Sequence, residues 1–277
     1  MAKKIEAPNE MSFLDHLEVL RWHLIRSVVA IVIIACVAFF MKSFIFDTII
    51  FGPKKMDFPT YQFFCKIGNL FGIDSEFCAD SLPFTIQNRT MAGLFSAHIW
   101  TSIWAGVILG FPYILWELWR FISPGLHSNE RKHSRGFILI ASFLFFLGVL
   151  FGYYIVAPLS INFLGTYQVS KEVTNEIDLS SFISTVRTSV IACGIMFELP
   201  IIIYFLTKIG LVTPEILKKY RKIALVIILI LAAVITPPEI YSQVLVAIPV
   251  LILYQISIYI SKMVIKNEAK KEAKYAK

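Results

Sequence analysis

Charge is scarce in this chain. Only 16% of its 277 residues are Asp, Glu, Lys or Arg, and 57% are hydrophobic, a balance that excludes an ordinary soluble domain. Residues that carry enzyme chemistry are equally thin. The five histidines (His16, His23, His98, His127 and His133) are scattered, and none forms a His-x-x-x-His pair with a nearby carboxylate. There is no metal-ligand spacing, no phosphate-binding loop and no nucleophile beside a base. The sequence therefore predicts no metal, no cofactor and no enzyme. No internal repeat is visible.

What the chain has instead is long apolar runs, such as Ser27–Phe40, Phe137–Pro158 and Ile223–Ile235. About 20 apolar residues cross a hydrocarbon core of about 30 Å. Each crossing must be helical, because lipid satisfies no open backbone group. The fold class expected is an all-α polytopic membrane protein with six transmembrane helices. They read as His23–Phe46, Gly93–Trp119, Arg135–Ala157, Phe182–Thr207, Lys222–Thr236 and Tyr241–Lys262. A polar, amphipathic lead-in over residues 1–22 precedes the 23–262 membrane domain, and a basic tail over 263–277 follows it. The first run lacks a small-residue cleavage site and reads as an uncleaved span.

The net charge of +7 does not point to nucleic acid, because the basic residues sort by side of the membrane. One side carries Lys3, Lys4, Arg21 and Arg26, then Arg120, Arg131, Lys132 and Arg135, then Lys208, Lys218, Lys219, Arg221 and Lys222, and finally the lysines of the tail. The other side has mainly Lys42, Lys54, Lys55, Lys66, Arg89 and Lys171. By the positive-inside rule both termini are cytoplasmic, an N-in/C-in layout. The outside loops then fall at about 47–92, 158–181 and 237–240. Cys36 and Cys193 fall inside spans as packing residues. Cys65 and Cys78 share the first outside loop, either as a disulfide or as two free thiols.

The fifth span has about thirteen apolar residues, rising roughly 20 Å. Thr236-Pro-Pro-Glu239 ends it, and Pro249 is expected to break the sixth. A short pair of this kind thins the bilayer locally or packs on other helices.

Three constellations carry possible function. Glu130 sits among Arg120, Arg131, Lys132 and Arg135 in a polar connection with Pro124 and Gly125. It either caps the third span's N-terminus or captures a guanidinium group as its bidentate partner. Glu198 lies at membrane depth, where a charge is a functional feature by default. It shares a helix face with Arg187, eleven residues away, so the two either serve structural pairing or line a polar cavity. Gln243, with Thr236 and Glu239, either caps helix ends or docks another transmembrane helix.

Four segments together resemble the TatC family, the receptor subunit of the twin-arginine protein translocase. They are His16-Leu-Glu-Val-Leu-Arg21, Phe121-Ile-Ser-Pro-Gly-Leu-His-Ser-Asn-Glu-Arg131, Phe197-Glu-Leu-Pro200 and Thr236-Pro-Pro-Glu-Ile-Tyr-Ser-Gln243. They occur in family order over about residues 12–262.

The resemblance implies a concave, glove-like helix arrangement in the bacterial cytoplasmic (inner) membrane. It implies recognition of paired arginines in signal peptides of folded export substrates. It also implies assembly with TatA- and TatB-type single-span partners, with self-association, and transport driven by the proton gradient. By position, Glu130 binds the arginine pair with Glu18, Arg21, Phe121, Pro124 and Arg131 around it. Glu198, with Arg187, belongs to an intramembrane pocket, and Thr236, Glu239 and Gln243 contact a partner helix.

Two positions depart from the family. Its lead-in glutamate falls at Val19, with Glu18 about 100° away around the helix, and Glu239 stands where the family has Asp. The competing class is a secondary transporter or proton-coupled channel, with Glu198 and Arg187 lining the path.

Overall fold

The computed structural model describes residues 13–71, 78, 81–122, 134–170, 172–236 and 240–275. Helices account for almost all of the described secondary structure, in the order α1 (Phe13–Phe40), α2 (Pro59–Phe71), α3 (Gly93–Ile122), α4 (Ser134–Phe151), α5 (Ala157–Thr166), α6 (Leu179–Phe197), α7 (Leu199–Lys208), α8 (Pro214–Lys219), α9 (Arg221–Ile235) and α10 (Ile240–Tyr275). Five stretches are long and apolar enough to cross a membrane: Leu17–Phe40, Gly93–Ile122, Gly136–Thr166, Leu179–Lys208 and Ser242–Ala269. The chain is a multi-span membrane protein. Where the sequence predicts its short fifth span, α9 has fifteen residues.

The chain divides into two compact units. One comprises Met1–Phe40 with Ser102–Ser142, the other Met41–Thr101 with Phe143–Lys277. In the first unit α1 and α3 approach closely at Gly106, where an added Cβ would lie 2.6 Å from the Ile31 carbonyl oxygen. Ala35 and Ala38 are buried on α1. On the other side of α3, the Trp119 and Phe137 rings lie 4.8 Å apart.

In the second unit α10 packs against α7 and α9. The core between them is Val156, Cys193, Ile203, Ile228, Ala232, Val246, Ala247, Val250, Tyr254 and Ile258. Cys193 is buried there, whereas Cys36 in the first unit is exposed. Polar groups in this core find partners. Thr207 and Ser261 hydroxyls are 2.9 Å apart, and the Tyr254 hydroxyl donates to the Leu217 carbonyl at 2.7 Å.

The two longer loops expected outside meet each other. Strand β1 (Thr85–Gln87) from the first pairs in parallel with β2 (Glu176–Asp178) from the second, and Arg89 bridges to Glu176 at 3.2 Å. Two loops that share a ladder lie on one side of the membrane, as two intervening crossings require. Cys65 of α2 is joined to Cys78 by a disulfide, thirteen residues on. Closing a loop of that length stabilises by about 3 kcal/mol. Tyr61 on α2 is fully buried, with its hydroxyl 2.8 Å from the Pro53 carbonyl and 2.9 Å from that of Pro158.

Several boundaries differ from the sequence reading. The helix does not end at Pro158, where the second outside loop was expected to begin, but continues to Thr166. A proline removes the hydrogen bond to the carbonyl four residues back. Here that carbonyl belongs to Tyr154, and the Thr60 hydroxyl donates to it instead. A π-helical turn over Gly152–Val156 leads into this segment. Pro249 likewise does not break the last span, since α10 passes through it and on to Tyr275. The described part of the basic tail is thus a continuation of that helix. At the other end, α1 runs unbroken from Phe13 through the boundary at residue 22 to Phe40, so lead-in and first span share one helix.

Candidate functional site

Of the inner-face residues singled out from sequence, Glu130, Pro124 and Arg131 lie outside the described residues. Glu18 and Arg21 are exposed on α1, and Phe121 is half-buried near the end of α3. The Phe121 ring meets the His23 ring edge-on, with centroids 6.3 Å apart.

At this end of α3 the structure reveals a carboxylate that the sequence reading passed over. Glu117 is only 2% exposed. Its Oε2 lies 2.5 Å from His23 Nδ1, and its Oε1 accepts from the Tyr113 hydroxyl at 2.9 Å. Arg120 and Arg26 stand 3.7 and 4.0 Å away. Two cations, an imidazole and a phenol thus hold one buried carboxylate, a geometry that satisfies both its oxygens. The available signal was helical spacing, with Tyr113, Glu117 and Arg120 on one face. Arg120 conceals it, because a basic residue at the end of a span is ordinarily a topology signal.

Glu198 occupies the joint between α6 and α7. Its backbone ends the first helix, with its N–H directed to the Ile195 carbonyl, and its own carbonyl receives Ile201 and Ile202. Pro200 in the first turn of α7 explains the joint, since it has no N–H to continue the α6 ladder. The fourth apolar stretch is therefore interrupted directly after Glu198. The side chain is 8% exposed, and its Oε1 has no hydrogen-bond partner among the described residues. It shares that state with eight other buried side-chain atoms among the described residues, including those of Ser189 and Gln255.

Arg187 does not join Glu198. It donates to Ser184 at 3.2 Å and lines a cleft of about 340 Å³ with Thr90, Ser96, Trp100 and Ser180, among others, but not Glu198. The single polar stripe expected along the fourth span is therefore split in two.

Of the residues expected to contact a partner helix, Glu239 lies outside the described residues. Thr236 is 4% exposed, and its hydroxyl donates to the Ala232 carbonyl at 2.9 Å, closing the last turn of α9. Gln243 on α10 is half-buried and donates to the Leu229 carbonyl of α9 at 3.2 Å. Among the described residues no cluster of His, Cys, Asp and Glu has the geometry of a metal site.

The chain is similar to known proteins over most of its length. The family described as Sec-independent protein translocase protein (TatC) matches residues 15–249. A relative of that name from Blattabacterium sp. subsp. Periplaneta americana is 49% identical over 94% of this chain and 98% of its own length. Another, from Halalkalibacterium halodurans, is 33% identical over 95% of this chain and 94% of its own. The crystal structure of a twin arginine translocase receptor, TatC, superimposes with a TM-score of 0.66 at 34% identity, covering 90% of this chain and 99% of that one. With a match of this extent over the spans and their connecting loops, the chain belongs to the TatC family of Sec-independent protein translocase proteins.

Proposed function

We propose that this chain is the receptor and core subunit of a twin-arginine translocase in a bacterial cytoplasmic membrane. The observation that carries this reading is the 34% identity to a chain described as a twin arginine translocase receptor, over 90% of the present sequence. The family belongs to membrane transport and not to enzymes.

In this reading the inner-face loop captures the arginine pair of a signal peptide through Glu130, with Glu18, Arg21, Phe121, Pro124 and Arg131 around it. A carboxylate suits that task because it receives a guanidinium through two parallel hydrogen bonds. The signal's apolar segment then lies near Glu198 on a concave face. The unmatched carboxylate oxygen at the α6–α7 joint supports that role. Thr236, Glu239 and Gln243 face TatA- and TatB-type single-span helices, folded substrates cross under the proton gradient, and copies of the complex associate.

The topology proposed is six spans with both termini cytoplasmic. The membrane domain covers about 23–262, after an inner lead-in and before a basic tail. The lysine and arginine distribution and the pairing of the two outside loops support it. In this layout α9 is the fifth span. Its fifteen residues rise about 22 Å, short of the roughly 30 Å hydrocarbon core. That shortfall favours a thinned bilayer where partner helices gather. The transporter reading needs Arg187 and Glu198 on one path, and Arg187 lines a cleft to which Glu198 does not contribute.

Co-purification tests the proposal. From gently solubilised membranes, the chain should carry small single-span proteins and bind an Arg-Arg signal peptide. Gln243→Leu should weaken cross-linking to the single-span proteins by severalfold while keeping peptide binding. A chain that purifies alone and transports a small solute contradicts it.

A further inference from the structure

Helix α2 carries a surface that neither the signal-peptide nor the partner-helix residues use. Its thirteen residues, Pro59–Phe71, are too few to cross a bilayer. At about 100° per residue, its side chains fall into three sectors. Thr60, Tyr61 and Gly68 are buried and Phe64 and Cys65 half-buried, on the side that meets the rest of the chain. Gln62, Lys66 and Asn69 form a second sector, polar and exposed. Phe63, Ile67 and Leu70, at the i, i+4, i+7 spacing of one helix face, form a third. This sector is apolar yet exposed, Phe63 by 60% and Leu70 by 81%. A helix packed on protein and otherwise in water needs only the first two sectors.

We propose that this third sector lies in the lipid of the leaflet on the side of this loop, making α2 an interfacial helix. In the topology proposed above, that is the outer leaflet. The attachment of α2 to the third apolar stretch is the observation behind this. The Thr60 hydroxyl donates to the Tyr154 carbonyl, and the Phe58 ring stacks on that of Tyr154 with centroids 5.5 Å apart. Counted from Gly136, where the stretch starts, the roughly 20 residues that cross a hydrocarbon core end beside Tyr154. Phe143, Leu147, Leu150 and Tyr154 are exposed along one face of the stretch, the face that a span turns to lipid. Helix α2 thus begins where a lipid-facing stripe leaves the core. Phe58, Tyr61, Tyr153 and Tyr154 cluster at this level, as aromatic side chains do at a membrane–water interface. Lys66 is one turn from Leu70, a position from which a lysine stem covers apolar surface while its ammonium reaches the headgroups. An interfacial helix buries its apolar side by about 5–10 Å, and three sectors are what protein, water and lipid together require.

Photo-cross-linking of the full-length chain in vesicles of phosphatidylglycerol and phosphatidylcholine tests this. The photoreactive residue p-benzoylphenylalanine is placed singly at Phe63, Ile67 and Leu70, and at Gln62 and Asn69 as controls. Mass spectrometry should find phospholipid adducts severalfold more abundant at the first three positions than at the two controls. Amide hydrogen exchange in the same vesicles gives a second readout. Leu70→Glu should accelerate exchange across α2 severalfold, and Gln62→Glu should leave it at the parent rate. Unchanged exchange in α3, α6 and α10 shows that the fold is kept. Equal lipid capture at all the positions, or parent-like exchange of α2 in Leu70→Glu, overturns the proposal. So does capture of a second copy of the chain at Phe63, Ile67 and Leu70 in place of lipid, which makes the sector a protein interface.

Discussion

A single carboxylate sets the energetics where α1 meets α3. Glu117 has left water almost completely, and His23, Tyr113, Arg26 and Arg120 replace the hydration it lost. Removing the carboxylate leaves the His23 side chain, 12% exposed, without its partner, whereas Arg26 and Arg120 are about half exposed. Glu117→Ala is therefore expected to destabilise the chain by about 3 kcal/mol, the scale for breaking a buried pair. Glu117→Gln, which keeps the shape and one acceptor, should cost less. Unfolding in detergent measures both, and an alanine variant as stable as the parent would show that the cluster is incidental. Glu198 was legible from sequence because one acid in a long apolar run stands out. Glu117 was not, because it lies three residues from Arg120 at the edge of a run where charge is ordinary. Only the packing of α3 on α1 gives it a histidine ninety-four positions away.

Helices here touch through glycine. Gly148 and Gly152, one turn apart on the third span, face α6. A Cβ on the first would lie 2.6 Å from the Cys193 carbonyl oxygen, and one on the second 2.6 Å from that of Ser189. Lipid gives no hydrophobic drive to helix pairing, so close backbone approach supplies the attraction. Gly152→Val should cost about 1–3 kcal/mol through overpacking, read as a lower midpoint of thermal aggregation. Gly136, which has open space around it, is the control and should tolerate valine.

The start of α6 carries a pH dependence. Ser180, through its hydroxyl and its backbone N–H, holds the Asp178 carboxyl below the usual carboxylate range. The folded value is the lower one. The cap's contribution is therefore complete above the unfolded value of about 3.9 and is lost as pH falls through the depressed one. Hydrogen exchange of the first turn of α6 should accelerate on acidification in the parent and be already fast, and insensitive to pH beyond the intrinsic rate, in Asp178→Ala. Element boundaries were the least legible part of the sequence. Proline ordinarily stops a helix, and Pro158 fails to do so because Thr60, nearly a hundred residues earlier, takes up the carbonyl it frees. No local pattern contains that partner.

For the molecule as a whole, charge and run length were the readable signals. Long apolar runs located the five membrane-length helices, and the shortness of the segment ending at Thr236 anticipated the fifteen residues of α9. The four family-like segments led to the same family that the comparisons establish. The pairing of β1 with β2 could not be read, because three-residue strands have no period long enough to detect and their partners lie in different loops. The Arg187–Glu198 stripe misled for another reason. The two ends of that face are about 16 Å apart along α6, and only the Arg187 end lines the cleft.

The account of function depends on an acid at the inner face that distinguishes guanidinium from ammonium. The most direct measurement is the affinity of the purified chain for a signal peptide bearing Arg-Arg against the same peptide bearing Lys-Lys, in the parent and in Glu130→Gln. The parent should prefer the arginine peptide by at least about tenfold, the scale of a bidentate charge-assisted contact, and Glu130→Gln should bind both weakly and without preference. Equal affinity of the parent for the two peptides, or an undiminished preference in the variant, would contradict it.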